Sequence, residues 1–566
     1  MSKKIRVIDV FAGPGGLGEG FSACRKNSPF EIVMSVEAEE NAHKTLTHRA
    51  FYRRLPPRGK PELTRCNTLL DKADRQRHLM NLKEKYSSEW QEAQDETLGE
   101  PTRLGNARIW QKLEEGQALT EEDKEDTEAQ TRVSNRIKQI RAMCKRDKTP
   151  LMVIGGPPCQ SYSNAGRNRV RAIEGYKTDE DQRFFLYKEY ARVLAEAKPD
   201  VFIMENVQGI LSAKLANGDK IIPQILETLK RPSSYSDTKK DGKPEYHLYS
   251  LSTPPDGWIK DEPVYKNSRS FLISADQYGV PQTRKRVIIL GVKASATRLN
   301  PVLQKSQNFM PSVRDVIDSL PSIRSTITNR SNVAKDSEEA WRKDWSRIKQ
   351  TLIEKLADVA VKKYLRNVDS KAELSVGSGR FVPANSSGFS EQFDKQAETN
   401  PEHASLRKWI LGSGSSGGFY NHIAKSHQYH DRLIYMFAAA FTNVHGVSPK
   451  ASRKDESGEP EFPKFLAPNH RNWESGDYAD RFRCLLPDSP AKTITSHLKK
   501  DGHAYIHYDP TQNRCLSPRE AARIQTFPDD YFFEGGAGAQ YQQVGNAVPP
   551  YLAKNIALVV SGIFCA

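Results

Sequence analysis

Five short runs of β-branched and other apolar residues stand out against a polar background. They predict strands at residues 5–10, 31–36, 151–154, 201–204 and 287–292. Runs with little polar alternation are typical of strands that are buried on both faces of a parallel sheet. The sequence therefore predicts an α/β fold with a Rossmann-like sheet, built from both ends of the chain.

Helical patterns accompany these strands. In residues 184–197 the apolar positions recur every three or four residues, which predicts a helix with one face against the sheet. Residues 551–560 have the same character and are predicted to return the end of the chain to the first core.

Two long segments interrupt the strand and helix pattern. Residues 45–149 are polar and charged, with acidic runs such as 121–126, and predict a solvated helical insertion. A role of this insertion in recognition or partner binding is the alternative. Residues 294–492 are rich in Ser, Asn, Gly and Arg, include the Gly/Ser run 412–418, and predict a second, loop-rich domain.

Composition narrows the class of protein. The chain has 566 residues, of which 37% are hydrophobic and 27% charged, so it can bury a sizeable core. No stretch approaches the roughly 18 apolar residues of a membrane helix, and the first residues lead directly into a predicted strand, so neither a membrane span nor a secretory signal is expected.

Seven cysteines without a Cys-x-x-Cys pair exclude a disulfide scaffold and suit a reducing compartment. The net charge of +15 is compatible with a nucleic-acid partner.

A glycine-rich turn follows the first predicted strand. Gly13, Gly15 and Gly18 fit the pattern G-x-G-x-x-G, and Glu37 ends the second strand. Glycines let a ligand approach the backbone, and a carboxylate at a strand tip can accept both hydroxyls of a ribose. A tight turn without a ligand is the alternative. The motif suits NAD and S-adenosylmethionine equally, so it does not select the cofactor.

Candidate chemistry lies at the ends of the later strands. Cys159 follows two prolines that fix the turn, and this rigid presentation favours a nucleophile over a buried apolar residue. The next strand ends near Glu205, whose carboxyl is a candidate proton donor, although it could also be an ordinary exposed acid. Period-two alternation predicts that Gln282, Arg284 and Arg286 share one face of the last strand, for which a basic edge strand is the alternative.

Six motifs follow one another in a fixed order, at residues 11–16, 156–160, 205–207, 282–286, 514–528 and 543–549. With these motifs the chain resembles the DNA cytosine-5 methyltransferases, specifically the prokaryotic modification enzymes. The resemblance covers somewhat less than half of the chain. It implies a methyltransferase sheet and methylation of C5 of a flipped-out cytosine within a specific duplex DNA sequence. S-adenosylmethionine would be the donor, S-adenosylhomocysteine the product, and restriction–modification the biological role.

The resemblance also implies roles for individual residues. Cys159 would be the nucleophile that adds to C6, Glu205 would contact N3 and the exocyclic amine, and Arg284 would contact O2. Glu37 would bind the ribose of the cofactor. The predicted cofactor-binding residues are Phe11, Gly13, Gly15, Leu17, Glu37, Leu186 and Asn546.

Two positions depart from the family pattern. The acid that the family usually carries after its third strand, to bind the adenine amine, has no placeable counterpart here. Position 38, often aromatic in the family, is Ala38. Adenine packing is therefore expected to come from another part of the chain.

DNA contacts are expected around the nucleophile, because the target base must leave the duplex before it can react. Residues 161–175 combine arginines with small residues and predict a loop that closes on the phosphates. The predicted DNA contacts are Gln160, Ser161, Arg167, Arg169, Arg171, Gln282, Arg286 and Arg514. The spacing of His422, His427 and His430 matches no common zinc pattern, so surface or DNA-backbone roles are favoured and no metal is predicted.

The predicted domain organisation follows from these assignments. Residues 1–44 would form the cofactor-binding part of the catalytic domain, 45–149 the charged insertion, and 150–293 the nucleophile part. Residues 294–492 would be the target-recognition domain, and 493–566 would return to the catalytic domain.

The expected partners are double-stranded DNA and a cognate restriction endonuclease that acts separately. We expect a monomer in the cytoplasm of a prokaryote, associated with the nucleoid and not with a membrane. Two alternatives stay open. An RNA cytosine-5 methyltransferase of the tRNA-acting branch usually carries a Cys-Phe-Thr tripeptide, which is absent here. A catalytically silent DNA-binding relative is disfavoured because Cys159, Glu205 and Arg284 are intact.

Overall fold

Strands and helices alternate along the described chain. The computed structural model describes residues 4–68, 71–99, 118, 120–158, 186–215, 217–235, 244–294, 298–307, 309–327, 336–370, 374, 381–383, 389, 391–412, 418–450, 453, 461–468, 473 and 481–565. The strands are β1 (Ile5–Val10), β2 (Phe30–Val36), β3 (Thr97–Leu98), β4 (Leu151–Gly155), β5 (Val201–Val207), β6 (Tyr246–Ser250), β7 (Gly257–Ile259), β8 (Glu262–Val264), β9 (Leu272–Ser274), β10 (Lys285–Lys293), β11 (Phe381–Pro383) and β12 (Gly418–Tyr420). The helices are α1 (Gly16–Ser22), α2 (Glu40–Arg54), α3 (Gly59–Thr68), α4 (Lys72–Lys85), α5 (Ser87–Glu96), α6 (Glu121–Asp147), α7 (Leu186–Ala197), α8 (Ile222–Lys230), α9 (Val313–Ile317), α10 (Glu338–Lys355), α11 (Val359–Arg366), α12 (Glu391–Thr399), α13 (Pro401–Leu411), α14 (Tyr429–His445), α15 (Pro518–Ile524), α16 (Ala537–Asn546) and α17 (Pro550–Ile563).

The central sheet has the strand order β3-β2-β1-β4-β5-β10-β6, with β9 paired to β10. Strands β1 to β5 run parallel to one another. Strand β10 runs antiparallel to both β5 and β6. All five predicted strands lie in this sheet, and the predicted α/β fold class is confirmed.

Helices cover both faces of the sheet. On one face, α6, α7 and α8 contribute Ile137, Val193 and Ile225 to the core. On the other face, α1 and α17 contribute Phe21 and Ile556. Because successive residues of a strand point to opposite faces, a sheet covered on both sides needs apolar residues at nearly every strand position. This burial explains why the strands can be recognised as nearly continuous apolar runs in the sequence.

The described parts of the segment 45–149 are mostly helical, and they are not separate from the sheet. Helices α2 to α5 enclose a small core that includes Phe51, Leu63 and Leu82. Strand β3 then pairs with the end of β2 and extends the central sheet by one strand. Two residues carry no periodic pattern, so the sequence could not reveal β3.

The second domain contains more helix than its loop-like composition predicted. Helices α9 to α14 share one continuous apolar core with the segment that follows them, and this core extends from Phe309 to Tyr551. The predicted boundary at residue 492 therefore does not separate two cores. Most of residues 494–547 pack with the second domain, whereas α17 lies against the sheet as predicted.

Within the described ranges, no helix combines the length and the apolar character needed to cross a membrane.

Candidate active site

The order of the strands places a binding crevice at one edge of the sheet. The chain leaves β1 towards β2 and β3 on one side, and continues through β4 and β5 on the other side. Loops after β1 and β4 therefore diverge, and such a switch point is where open α/β sheets bind their ligands. The glycine-rich turn follows β1, and the segment that leads to Cys159 follows β4.

The turn after β1 has an unusual backbone. Phe11, Gly13 and Gly15 have φ values of 55°, 57° and 95°, in the left-handed region that favours glycine. A Cβ added to Gly13 would meet no atom within 4 Å, so open space adjoins the backbone at this point. A Cβ at Gly15 would lie 2.9 Å from the Tyr531 hydroxyl, so this side of the turn is closely packed. The turn can receive a ligand at Gly13 while it is held firmly at Gly15.

Glu37 fixes the turn from the tip of β2. Its Oε2 accepts a hydrogen bond from the Gly13 amide at 2.7 Å, and its Oε1 accepts one from the Glu39 amide at 2.8 Å. Burial raises the pKa of Glu37, and these two amides partly oppose that shift. Each carboxylate oxygen can accept a further bond, so the group can still receive ribose hydroxyls. The geometry fits a nucleoside-type cofactor at this predicted site.

An ion pair lies at the tips of β5 and β10. Glu205 Oε1 is 2.7 Å from Arg286 Nε, and both side chains are largely buried. A Cβ added to Gly156, which follows β4, would lie 2.8 Å from Glu205 Oε2. The Asn206 side-chain amide also donates to the Pro157 carbonyl, at 3.3 Å. The chain that leads to Cys159 therefore passes directly against the Glu205–Arg286 pair.

The predicted common face of Gln282, Arg284 and Arg286 is wrong. Arg284 is 1% exposed, and its Nη1 and Nη2 donate to the carbonyls of Ile494 and Gly545 at 2.8 and 3.2 Å. Gln282 is also buried and accepts a hydrogen bond from the Ile494 amide. Both side chains join the sheet to the second domain, whereas Arg286 points to Glu205.

The cause is local backbone geometry. Strand β10 begins only at Lys285, and the residues before it follow a bent path in which the Arg284 amide donates to the Gln282 carbonyl at 2.8 Å. Period-two alternation holds only within a strand. Gln282, for which a DNA contact was predicted, is therefore fully buried, and Arg286, not Arg284, adjoins Glu205.

Arg514, for which a DNA contact was predicted, has no exposed surface in this structure. It is fully buried and makes two hydrogen bonds with Glu520, at 2.7 and 2.6 Å. Its Nε also donates to the Ile323 carbonyl. Burial alone would raise the pKa of Glu520, but Arg514 outweighs it and the pKa is lowered. The pair is a structural element of the second domain, because a buried charge is tolerated only when it is paired and hydrogen-bonded.

The remaining predicted cofactor residues differ in exposure. Phe11 is partly buried at the turn, and Leu186 is partly buried where α7 begins. Asn546 is exposed at the end of α16. Leu17 is 4% exposed and belongs to the core between α1 and the sheet, and its predicted contact with the cofactor remains a prediction.

Several predicted residues lie outside the described ranges. They are Cys159, Gln160, Ser161, Arg167, Arg169 and Arg171. Their predicted roles remain predictions.

The histidines of the second domain serve structural roles. His422 contacts the Ser517 hydroxyl at 2.8 Å and the Pro321 carbonyl at 2.7 Å. His427 accepts from the Cys515 amide at 3.3 Å, and both histidines are buried rather than at the surface. Across the residues that the structure describes, no group of three or more His, Cys, Asp or Glu side chains is arranged to hold a metal ion.

Two residues near the crevice were not singled out by sequence reasoning. Asp9 is fully buried in β1, and burial raises its pKa to about 8. Tyr531 donates a hydrogen bond to the Pro14 carbonyl of the glycine-rich turn. An acid inside an apolar strand run was a visible signal for Asp9, whereas no local pattern connects Tyr531 with a turn that lies 517 residues away.

A large cavity lies away from this crevice. Its volume is about 1090 Å³, and its walls come from α2, α4, α5 and the segment around residues 532–540. Neither the glycine-rich turn nor Glu37 lines it. The switch-point geometry, not the size of the cavity, therefore identifies the candidate site.

Comparison with known proteins finds matches over most of the chain. The family model for C-5 cytosine-specific DNA methylases matches residues 105–236 and 263–561. The chain is 28% identical to the type II methyltransferase M.Bpa9945I of Bacillus paralicheniformis, over 98% of both chains. It is 24% identical to the DNA (cytosine-5-)-methyltransferase M.ApeKI of Aeropyrum pernix, over 73% of this chain and 82% of the relative. A solved structure of a prophage-encoded candidate DNA modification methyltransferase from E. coli covers the whole of both chains, with 18% identity and a TM-score of 0.46.

Proposed function

Because this chain belongs to the C-5 cytosine-specific DNA methylases and is a DNA (cytosine-5)-methyltransferase, we propose that it uses S-adenosylmethionine and forms a covalent bond between Cys159 and the target cytosine. The observation that carries this proposal is the path of the chain after β4. Gly156 lies against Glu205, which is paired with Arg286. This arrangement brings a carboxyl and a fixed cation against the segment that leads from β4 to Cys159.

Glu37 and the glycine-rich turn would hold the cofactor. Glu37 would accept the ribose hydroxyls while it keeps Gly13 in place. The open space beside Gly13 would admit the ligand to the backbone. The first acid after β3 in the sequence is Glu100, outside the described residues, and we assign it to the adenine amine. When bound, the cofactor supplies an electrophilic methyl group on a sulfonium.

Cys159 would act as a thiolate. Cytosine C5 is a weak nucleophile, but addition of the thiolate to C6 moves electron density to C5, which then takes the methyl group. Loss of the C5 proton and departure of the thiolate restore the aromatic ring. A serine at position 159 would not ionise near pH 7 and would be a poorer leaving group.

Glu205 and Arg286 would stabilise the addition. A proton held by Glu205 at N3 draws electrons away from C6 and assists the attack. Arg286 orients the Glu205 carboxyl by their 2.7 Å contact, and its guanidinium supplies fixed positive charge next to the base. We therefore transfer to Arg286 the role that the sequence had assigned to Arg284.

The target base would reach this site by rotation out of the duplex, with the loop 161–175 closing on the phosphates. We place sequence recognition in residues 294–492. The type II names of the relatives support a role as the modification partner of a separate restriction endonuclease. We further propose that the chain works as a monomer on the chromosomal DNA of a prokaryotic cell.

Transfer of a tritiated methyl group tests the substrate class. Purified protein with labelled S-adenosylmethionine should label duplex DNA and leave bulk tRNA unlabelled. The Cys159→Ala variant should label neither, while its affinity for DNA stays within about threefold of the wild type. Labelling of tRNA alone would favour the RNA-directed alternative, and no labelling at all would favour a silent DNA-binding relative.

A further inference from the structure

The glycine-rich turn is held by three contacts from outside the turn. The Ala12 amide donates to the Val36 carbonyl at 3.1 Å, and the Gly13 amide donates to Glu37. The third contact is the hydrogen bond from the Tyr531 hydroxyl to the Pro14 carbonyl. The first two come from the neighbouring strand of the sheet, but Tyr531 comes from a distant part of the sequence.

Tyr531 belongs to the core of the second domain. Its ring lies 4.9 Å from that of Phe527 and 5.4 Å from that of Phe533, measured between centroids, and the residue is 1% exposed. Burial raises the pKa of Tyr531, so the phenol keeps its proton and remains a donor. The hydroxyl therefore donates from the core of the second domain to the glycine-rich turn after β1.

The segment around Tyr531 is anchored to the predicted recognition domain. The Asp529 amide donates to the Ile410 carbonyl at 2.7 Å, at the end of α13. The Asn421 side chain accepts from the Phe533 amide and donates to the Phe533 carbonyl, both at 3.0 Å. A displacement of Ile410 or Asn421 would therefore act on Asp529 and Phe533, the residues that flank Tyr531 by two positions on either side.

Arg49 connects the same segment with the helix that follows the turn. Its guanidinium lies over the Tyr531 ring at 4.9 Å and makes two hydrogen bonds, of 3.0 and 2.6 Å, with Glu19 of α1. It also lies 3.1 Å from the carboxylate of Asp530. One buried cation thus joins α1 with residues 530 and 531, which keeps the hydroxyl aligned with the turn.

We propose that Tyr531 is a positioning residue that couples the recognition domain to the cofactor turn, so that DNA and cofactor bind cooperatively. This inference rests on the proposed function, because it takes the turn to be the S-adenosylmethionine site. Phe11 has a left-handed φ of 55°, a conformation that persists only where surrounding contacts enforce it. DNA that fixes the recognition domain fixes Tyr531, and Tyr531 then fixes the turn. By linkage, a bound cofactor must strengthen DNA binding by the same factor.

The Tyr531→Phe variant tests the coupling, because it removes one oxygen and keeps the ring in the core. S-adenosylhomocysteine affinity is measured by calorimetry, for the free protein and for its complex with a duplex that carries the methylated site found by bisulfite sequencing. In the wild type, the duplex should raise the affinity. In Tyr531→Phe, the affinity of the free protein should fall roughly threefold to tenfold, as expected for one buried hydrogen bond. The enhancement by DNA should also shrink, and KM for S-adenosylmethionine should rise more than kcat falls.

Tyr52→Phe is the matched control. Tyr52 also lies under Arg49, at 4.7 Å, and its hydroxyl donates to Asp530 at 3.2 Å, but its hydroxyl is directed at Asp530 and not at Pro14. This variant should keep both the cofactor affinity and the enhancement by DNA. Hydrogen exchange of residues 12–16 gives a second readout, in which DNA should slow exchange in the wild type and in Tyr52→Phe but not in Tyr531→Phe.

Each outcome has one interpretation. Wild-type protein that binds no S-adenosylhomocysteine would refute the proposed function itself. If the wild type binds S-adenosylhomocysteine and Tyr531→Phe shows the same affinity and the same enhancement by DNA, the proposed coupling is refuted and the proposed function is not. A lower melting temperature with both affinities unchanged would show that Tyr531 only stabilises the fold.

Discussion

Replacement of Glu37 by alanine should separate cofactor binding from DNA binding. The wild-type carboxylate accepts amide bonds from Gly13 and Glu39 at 2.7 and 2.8 Å, and in the proposed complex it also receives the ribose. A hydrogen bond to a charged group contributes about 1.5–3 kcal/mol. Loss of the ribose contact should therefore weaken S-adenosylhomocysteine binding by roughly tenfold to a hundredfold. DNA affinity should stay within about threefold of the wild type, because the site of the change lies on the cofactor side of the sheet.

Calorimetry with S-adenosylhomocysteine and fluorescence anisotropy with labelled duplex DNA measure the two affinities. Glu39→Ala is the matched control, since the Glu39 side chain accepts from the Ala42 amide and caps α2 without contacting the turn. Glu39→Ala should lower the free energy of unfolding by about 1 kcal/mol, the usual effect of losing a helix N-cap, and should leave cofactor affinity unchanged. An unchanged cofactor affinity in Glu37→Ala would refute the placement of the ribose at the tip of β2.

The pH dependence of binding provides an internal check. The ribose hydroxyls donate to the ionised carboxylate, and burial raises the pKa of Glu37 above its ordinary value of 4.5. Cofactor affinity should therefore be highest at neutral pH and fall as the pH drops through the raised pKa. Glu37→Gln cannot titrate, so its weaker affinity should not change over the same pH range. A parallel decline in both proteins would assign the effect to another group.

Further predictions concern stability, the arginine pair and the domains. Burial raises the pKa of Asp9 from 3.8 to about 8, so between these pH values the folded protein holds a proton that the unfolded chain releases. The free energy of unfolding, measured by urea titration, should therefore fall by up to about 6 kcal/mol as the pH rises through this range. An equal fall in Asp9→Asn would contradict this. Arg286→Lys should lower kcat at least about tenfold with little change in melting temperature. Arg284→Met should instead lower the free energy of unfolding by about 2–4 kcal/mol. The reverse pattern would return the catalytic role to Arg284. Exchanging residues 294–492 for those of a relative should change the methylated sequence seen by bisulfite sequencing. Replacing 45–149 by a shorter linker should not change it, and a target that followed 45–149 would refute this division.

The parts of the fold that depend on burial could be predicted from the sequence. Strands β1, β4 and β5 lie between two helical layers, so nearly every position in them is apolar, and such runs are visible without a structure. Strand β3 has two residues and is held by pairing to β2, which leaves no pattern in its own sequence. The core shared between α9–α14 and residues 494–547 is also invisible, because contacts between distant segments produce no local period.

The positions of polar and charged residues around the site were harder to predict from the sequence, for a related reason. Arg284, Arg514 and Gln282 are polar, and polar residues in a basic chain suggest solvent or DNA. In the folded protein they are buried because distant carbonyls and Glu520 satisfy their hydrogen bonds. Nothing in the order of the residues indicates such partners. Glu37 was easier to identify, because its place at the end of a strand already determines that it faces the crevice.

The covalent bond between Cys159 and the target cytosine is the central claim, and a trapping experiment tests it most directly. Duplex DNA with 5-fluorocytosine at the methylated position cannot lose the C5 substituent as a proton, so the proposed adduct should accumulate in the presence of S-adenosylmethionine. We expect a complex that survives SDS, and mass spectrometry of its digest should place the nucleotide on the peptide that contains Cys159. Cys159→Ala should form no such complex. An adduct that persists in Cys159→Ala, or that maps to a different residue, would contradict the assignment of the nucleophile.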